Sequence, residues 1–363
     1  MSAELIDALV ARADGGLAVE PIRLPALGPG DVRVRIRAAG VCHSDLSMVN
    51  GTLAATFPLV LGHEAAGVVA EVGADVDGVV PGDHVVLNWA PPCRQCWHCR
   101  HGEPWLCAAS GRPCAPGGTT ADGEQLQVTL GLGALATEVV VPANAVIGVP
   151  AELGFEQAAL LGCAVLTGVG AVGNTAGVRP GQSVLVVGLG GVGLSVLIAA
   201  RRAGAGPIIA VDRSVGKEKL ALASGASHFL PADDALSGQI RALTEGRGVD
   251  HAFECVGRSA TIRTAWRATR RGGTVTVVGM GAKDDLLSLS ALEIFHSART
   301  LRSSVYGSAD PDQEVPQLAR AVRDGSLDLR PLITHRVGLD GAAEAFRRME
   351  RGEGARTVVV FDA

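Results

Sequence analysis

The sequence predicts an α/β protein in two parts: a doubly wound parallel sheet and a β-rich, barrel-like domain. Three observations carry this. The chain has 363 residues, enough for two domains of ordinary size. Its first part reads as short strands of alternating apolar and charged side chains, broken by Gly and Pro turns. Near residue 165 the pattern changes to continuous apolar runs alternating with helical segments, the pattern of strands covered by helices on both faces.

Taken in order, Val32–Arg37 alternates apolar and charged residues as a half-buried strand does. Gly67–Val72, Asp83–Leu87 and Glu138–Val141 read the same way, with Pro29-Gly30 and Pro81-Gly82 as turn signals. In the second part, Ser183–Val187 is a continuous apolar run, and a helix is expected over Val192–Ala203. Further strands are expected at Ile208–Val211, His251–Glu254 and Thr274–Val278, with a helix around Lys217–Ala223. After about residue 306 the pattern is mixed again.

Hydrophobic residues make up 47 % of the chain and charged residues 19 %, so a large core forms readily and disorder is not expected. The net charge is −5 and no basic stripe occurs, which leaves no electrostatic footprint for nucleic acid. The start, Met1–Asp7, is acidic and lacks a basic-then-apolar leader pattern, so a cytoplasmic location is expected. Eight cysteines in that setting favour metal binding or free thiols over disulfides. The segment 158–178 is largely apolar but contains Asn174 and several glycines, and no aromatic or basic belt opens it. It reads as buried helix and turn, and no membrane association is expected.

The run Gly188-Leu-Gly190-Gly191-Val192-Gly193 follows a predicted strand and opens a predicted helix. The first glycine permits a tight turn, the second lets backbone approach a pyrophosphate, and the third allows close helix–strand packing. The helix N-terminus then offers free N–H groups to the phosphates. Asp212 ends the next strand 19 residues after Gly193. A carboxylate there accepts from both ribose hydroxyls and repels a 2′-phosphate, which favours NAD over NADP. Lys217 is placed to reach the same ribose. The strand–turn–helix context makes this a Rossmann dinucleotide site.

Four cysteines, Cys93, Cys96, Cys99 and Cys107, fall within fifteen residues and can wrap one tetrahedral zinc. The remaining cysteines point to a second site. Cys42 and His63 lie in the β-rich part, and Cys163 lies where the second part begins. Two thiolates and an imidazole would leave zinc a fourth, open position. From spacing alone that trio competes with Cys114, Cys255 and the other histidines.

The chain resembles the zinc-dependent alcohol dehydrogenases of the medium-chain dehydrogenase/reductase family. The matching pieces are GVCHSD at 40–45, GHEAAGVV at 62–69, GDHVV at 82–86, the four-cysteine lobe, GCAVLTG at 162–168, GLGGVG with Asp212, and GEGARTVVVF at 352–361. They run in family order over nearly the whole length. The resemblance implies a GroES-like catalytic domain over 1–164, completed by 306–363, and a Rossmann NAD-binding domain over 165–305. It implies Cys42, His63 and Cys163 as ligands of a catalytic zinc. Alcohol dehydrogenase is itself the type case of a Cys₂His catalytic zinc, so this ligand set rests on the resemblance alone. The resemblance also implies Cys93, Cys96, Cys99 and Cys107 as ligands of a closed structural zinc, giving two zinc ions per chain.

Further roles follow from the same resemblance. Glu64 is the acidic neighbour that approaches the zinc and assists ligand exchange, and Asp45 orients the histidine ligand through its second ring nitrogen. Ser44 takes the alcohol proton and passes it towards the ribose. Ser47 stands where many members have a histidine that ends this relay. His43 and Arg356 fall at positions that meet the cofactor pyrophosphate, while Thr167, Val192, Arg258 and Val278 align with further cofactor contacts. Trp89 is expected as an aromatic wall of the substrate pocket, flanked by Leu46. An apolar slot beside zinc suits a primary aliphatic or aromatic alcohol better than a charged one. A homodimer is expected, with a tetramer as the alternative.

Two other functions are weighed. A thiol-adduct formaldehyde dehydrogenase shares these motifs, but the glutathione-using type carries acidic residues in the loop before FP-x-x-LGHE. The corresponding loop here, Asn50–Thr56, has none. A non-catalytic structural or binding relative has no need to keep Cys42, His63 and Cys163 together with Ser44.

Overall fold

The structure, a computed structural model, describes residues 5–110 and 117–362. Cys114, weighed above as a rival ligand, lies outside the described residues. The chain divides into two compact units, Met1–Ala164 with Asp310–Ala363, and Val165–Ala309. The chain thus re-enters the first unit at Asp310, slightly later than the residue 306 expected from the sequence.

The first unit holds the strands β1 (Leu5–Ala11), β2 (Leu17–Arg23), β3 (Asp31–Gly40), β4 (Leu59–Val60), β5 (Ala65–Val72) and β6 (His84–Leu87). They are followed by β7 (Thr119–Thr120), β8 (Gln127–Val128), β9 (Glu138–Pro142) and β10 (Val146–Gly148). The second unit contributes β11 (Val184–Val187), β12 (Ile208–Asp212), β13 (His228–Pro231), β14 (Val249–Glu254), β15 (Thr269–Val277) and β16 (Thr300–Ser303). The returning segment adds β17 (Ile333–Val337) and β18 (Arg356–Val360) to the first unit.

β3 shows why the alternating pattern folds as it does. Val32, Val34 and Ile36 are buried while Arg33, Arg35 and Arg37 stay at least partly in solvent, as a two-residue pleat requires. It is the hub of a seven-stranded sheet of order β10-β6-β5-β3-β18-β17, with β9 also pairing β3. A five-stranded sheet, β7-β2-β1-β4-β8, completes the unit. Val34, Ile36, Leu61, Leu87, Leu135 and Phe346 belong to one apolar core. β18 pairs antiparallel with the end of β3, Val358 opposite Gly40. That pairing brings Arg356 to the Cys42 corner from the far end of the chain.

In the second unit six strands run parallel in the order β13-β12-β11-β14-β15-β16. All four residues of β11 are buried, which explains its continuous apolar run. The order reverses direction between β11 and β14, the switch point at which a doubly wound sheet opens a ligand crevice. Phe155–Ala176 is a helix long and apolar enough to cross a membrane, and 78 % of its most apolar stretch is buried within the protein. Two π-helical segments interrupt it, at Leu161–Val165 and Ala171–Ala176.

Candidate metal centres and cofactor cradle

Three backbone features deliver the distributed trio. β3 ends at Gly40, and Cys42 forms the extended N-cap of the helix His43–Val49. His63 directly precedes β5, after Gly62 at φ +101°. A Cβ at Gly62 would lie 2.3 Å from the Leu135 amide nitrogen, so only glycine fits this bend. Cys163 sits in the first π-helical segment, where the extra residue widens the turn. The two sulfurs and one ring nitrogen of His63 lie within 4.8 Å of one another, and all three residues are buried.

Asp45 is fully buried. Its Oδ1 accepts from the Gly62 N–H at 2.8 Å, and its Oδ2 lies 3.0 Å from His63 Nδ1. Nδ1 therefore faces the carboxylate, and Nε2 is left buried with no hydrogen-bond partner. An unpartnered buried polar atom is costly, and a metal ligand bond removes that cost. The donor set of two thiols and one imidazole fits zinc with one position open.

The electrostatics agree. The hydrogen bond from the Cys163 thiol holds Cys42 well below the ordinary thiol range, helped by Arg356 and His63. The same contact, with burial, pushes Cys163 up. Burial pushes His63 down, but Asp45 and Cys42 outweigh it and raise the imidazole. A lowered Cys42 thiol suits a metal ligand, which binds as thiolate.

Glu64 is fully buried beside the trio, and burial pushes its carboxyl up to about 7 against the pull of Arg356. Its Oε1 accepts from the Ala164 N–H at 3.3 Å, and its Oε2 lies 3.2 Å from Arg356 Nη2. Arg356, expected at a pyrophosphate, is itself buried. It donates from Nη1 to the Val41 carbonyl at 3.0 Å and from Nη2 to Cys42 Sγ at 3.4 Å. Ser44 is half-buried with Oγ 4.0 Å from Cys42 Sγ. Trp89 meets the His63 ring edge-on, 6.5 Å between centroids at 87°, and Leu46 is buried in the same unit's core. His43, the first residue of its helix, is exposed.

The second cluster is local. The sulfurs of Cys93, Cys96, Cys99 and Cys107 lie within 4.8 Å of one another around the short helix Trp97–Arg100. Backbone N–H groups donate to them: Cys93 and Ala109 to Cys107 Sγ at 3.2 and 3.4 Å, and Cys96 to Cys93 Sγ at 3.3 Å. Burial pushes the Cys107 thiol up, and the Cys93 and Ala109 N–H groups outweigh it, bringing it down to about 6. Four thiolates close a tetrahedral shell and leave no place for a substrate. Sequence reasoning missed the strut under this lobe. Arg94, at φ +59°, donates to both carboxylate oxygens of Asp310 at 2.6 and 2.8 Å and also pairs with Asp312. A partner more than two hundred positions away leaves no local signal.

In the second unit, the glycine turn shows what each glycine does. Gly188 adopts φ +91°, and a Cβ at Gly193 would lie 1.9 Å from the Gly188 carbonyl oxygen, so both are required by the fold. A Cβ at Gly190 would meet nothing within 4 Å. Nothing in the protein packing demands glycine there, which leaves the backbone open to a close-approaching group. Gly190 caps the helix Gly191–Arg202, whose first turn includes the half-buried Val192. Asp212 accepts from the Leu189 and Ser214 N–H groups at 2.8 and 2.9 Å, and Lys217 Nζ lies 3.5 Å from the same carboxylate. Arg258 is exposed at the N-cap of the helix Ser259–Ala268, and Val278 follows β15. Thr167 is half-buried in the helix Leu166–Gly170.

Comparison with known proteins agrees with this chemistry. Residues 28–151 match the alcohol dehydrogenase GroES-like domain family, and residues 191–324 match the zinc-binding dehydrogenase family. The S-(hydroxymethyl)glutathione dehydrogenase of Escherichia coli O1:K1 is 36 % identical over 343 residues, covering 92 % of this chain and 93 % of that protein. An alcohol dehydrogenase zinc-binding domain protein from Burkholderia ambifaria superposes with a TM-score of 0.91 at 34 % identity, over 99 % of this chain and 100 % of that one. Benzyl alcohol dehydrogenase from Acinetobacter calcoaceticus superposes with a TM-score of 0.89 at 27 % identity, again over 99 % and 100 %. With a GroES-like part, a Rossmann part and two cysteine clusters that could each hold a metal ion, the chain belongs to the zinc-dependent medium-chain alcohol dehydrogenase family and is an oxidoreductase.

Proposed function

We propose that the chain transfers hydride between a primary alcohol, aliphatic or aromatic, and NAD. The observation that carries this is the buried trio Cys42, His63 and Cys163, a donor set that would leave zinc one open position, with Ser44 4.0 Å from Cys42 and Trp89 edge-on to His63. In this reading the first unit is the catalytic domain and the second the NAD-binding domain, with one catalytic and one structural zinc per chain.

Zinc, when bound by the trio, supplies a Lewis acid that polarises the oxygen of the alcohol or aldehyde. Asp45 fixes the His63 ring so that Nε2 faces the ligand position. Ser44 would take the hydroxyl proton while passing its own proton on, and NAD held in the second unit would supply the hydride acceptor. The proton then leaves towards solvent; Ser47 is a poor base, so a water or the cofactor ribose completes that path. Trp89 gives the pocket an apolar wall that excludes water and accepts an aliphatic or aromatic substituent. Gly190 admits the pyrophosphate, the Gly191–Arg202 helix end holds it, and the Asp212 carboxylate accepts from the ribose hydroxyls.

A second reading is oxidation of a hydroxymethyl thiol adduct, favoured by the name of the E. coli relatives. The Asn50–Thr56 loop, without the acidic residues of the glutathione-using type, weighs against glutathione and leaves another thiol open. A homodimer is part of the proposal. β16 is a sheet edge with all four residues exposed, and Phe295, Leu292, Ile294 and Val305 are exposed on neighbouring segments. A second copy is a suitable cover for such an edge. Free thiols at all seven described cysteines support a reducing, cytoplasmic setting.

The deciding experiment is a turnover screen of aliphatic, aromatic and thiol-adduct alcohols with NAD and with NADP. Turnover of simple primary alcohols with NAD is expected. Turnover confined to thiol adducts would replace the first reading with the second, and a preference for NADP would remove Asp212 from its role.

A further inference from the structure

We infer that Arg356 is a positioning residue of the distributed metal site, acting on the metal through Cys42 and Glu64. The inference rests on the reading of Cys42, His63 and Cys163 as a zinc site. Arg356 opens β18 and is 4 % exposed. Its place is fixed on both sides. β18 pairs with β3 at Val358–Gly40, the Val41 N–H donates to the Thr357 carbonyl at 3.0 Å, and the Thr334 hydroxyl donates to the Arg356 carbonyl at 3.1 Å. From there Nη1 reaches the Val41 carbonyl at 3.0 Å, while Nη2 reaches Cys42 Sγ at 3.4 Å and Glu64 Oε2 at 3.2 Å. One planar guanidinium thus holds the residue before the ligand, the ligand sulfur and the neighbouring carboxylate in fixed relation.

The chemistry of each contact gives it a separate effect. A hydrogen bond to a thiolate draws charge from sulfur and weakens its donation to a bound metal, which raises the metal's Lewis acidity. The ion pair with Glu64 restrains a buried carboxylate that would otherwise compete for the open position. The backbone is shaped to allow this. A Cβ at Gly40 would lie 2.8 Å from both Glu64 Cδ and Oε2, so the glycine provides the room in which Glu64 meets Arg356. Because guanidinium stays charged at every accessible pH, the restraint does not switch off.

The test uses full-length protein loaded with cobalt(II), read by its thiolate-to-metal charge-transfer band. The difference spectrum against Cys42→Ala isolates the trio from the four-cysteine lobe. Arg356→Leu is expected to move the trio's band to longer wavelength. With a stronger sulfur donor and Glu64 released towards the open position, zinc retention against a chelator should rise, by about tenfold or more. The double variant Arg356→Leu/Glu64→Gln, which leaves no orphaned carboxylate, should lose the Glu64 part of that gain but keep the shifted band. Arg356→Lys keeps the charge without the planar fork and should fall between. A folded, cobalt-loaded Arg356→Leu protein with an unshifted band overturns the inference. A parent protein with no trio band at all overturns the zinc reading instead.

Discussion

The two sulfur clusters of the first unit are built in opposite ways. The lobe takes all four ligands from fifteen consecutive residues, on a short helix and its flanking turns, with backbone N–H groups supporting the sulfurs. The trio draws on residues 42, 63 and 163, on a strand end, a glycine bend and a π-helical turn, with Arg356 on Cys42 and Asp45 on His63. A local cluster saturates its metal and needs little from the rest of the fold. A distributed one can leave a position open because the fold, and not the metal, holds the ligands apart. In the proposed function, reactivity belongs to the cluster that depends on tertiary structure, and stability to the one that does not.

The largest expected effect comes from Cys42→Ala. Zinc content measured by metal analysis should fall from two per chain to one, and turnover by about a thousandfold or more, matching a loss of several kcal/mol of Lewis-acid stabilisation. A variant that keeps its activity, or that loses both metals, ends the distinction between the clusters. Cys96→Ser should do the reverse. The lobe metal is lost, the trio metal stays, and the thermal midpoint drops by about 6–12 °C for a loss of about 3 kcal/mol in a unit of this size. Residual activity per trio metal should persist below the new midpoint; its disappearance there would mean the lobe does more than brace. The smallest effect is expected from Arg94→Ala. Its guanidinium pairs with Asp310 and Asp312 but is partly exposed, so solvent screening limits the loss to no more than about 1 kcal/mol. Faster proteolysis within the lobe, with unchanged turnover, would identify Arg94 as a strut; no change in either removes it from the account.

Much of the fold was legible because its signals are short-range. The alternation of Val32–Arg37 and the apolar run of Ser183–Val187 each state a burial pattern, and β3 and β11 carry it out. The β1–β2 hairpin is not legible in this way. Its residues, such as Leu5–Ala11, suit a helix as well as a strand, and it is pairing in register with β2 that decides. β16 escapes for a different reason: all its residues are exposed, so it carries no burial pattern to detect. At the site, Asp45 and Trp89 could be assigned through the family resemblance, and the structure adds their distances to His63. Arg356 shows the limit of that route. Its sequence motif points to a pyrophosphate, and the structure adds contacts to Cys42 and Glu64 that the motif does not state.

The sequence by itself determined the two-part α/β plan, the closed four-cysteine lobe and the glycine turn with Asp212. Each is written in residues close enough along the chain for spacing to constrain geometry. Only the tertiary structure decided which cysteines join His63, that His63 Nε2 is left without a partner, and that Arg356 stands behind Cys42. Those relations span from about twenty to more than three hundred residues. They exist because β18 closes against β3 and the π-helical turn brings Cys163 to the same corner, and long-range strand pairing and burial leave no periodic trace between the residues they join.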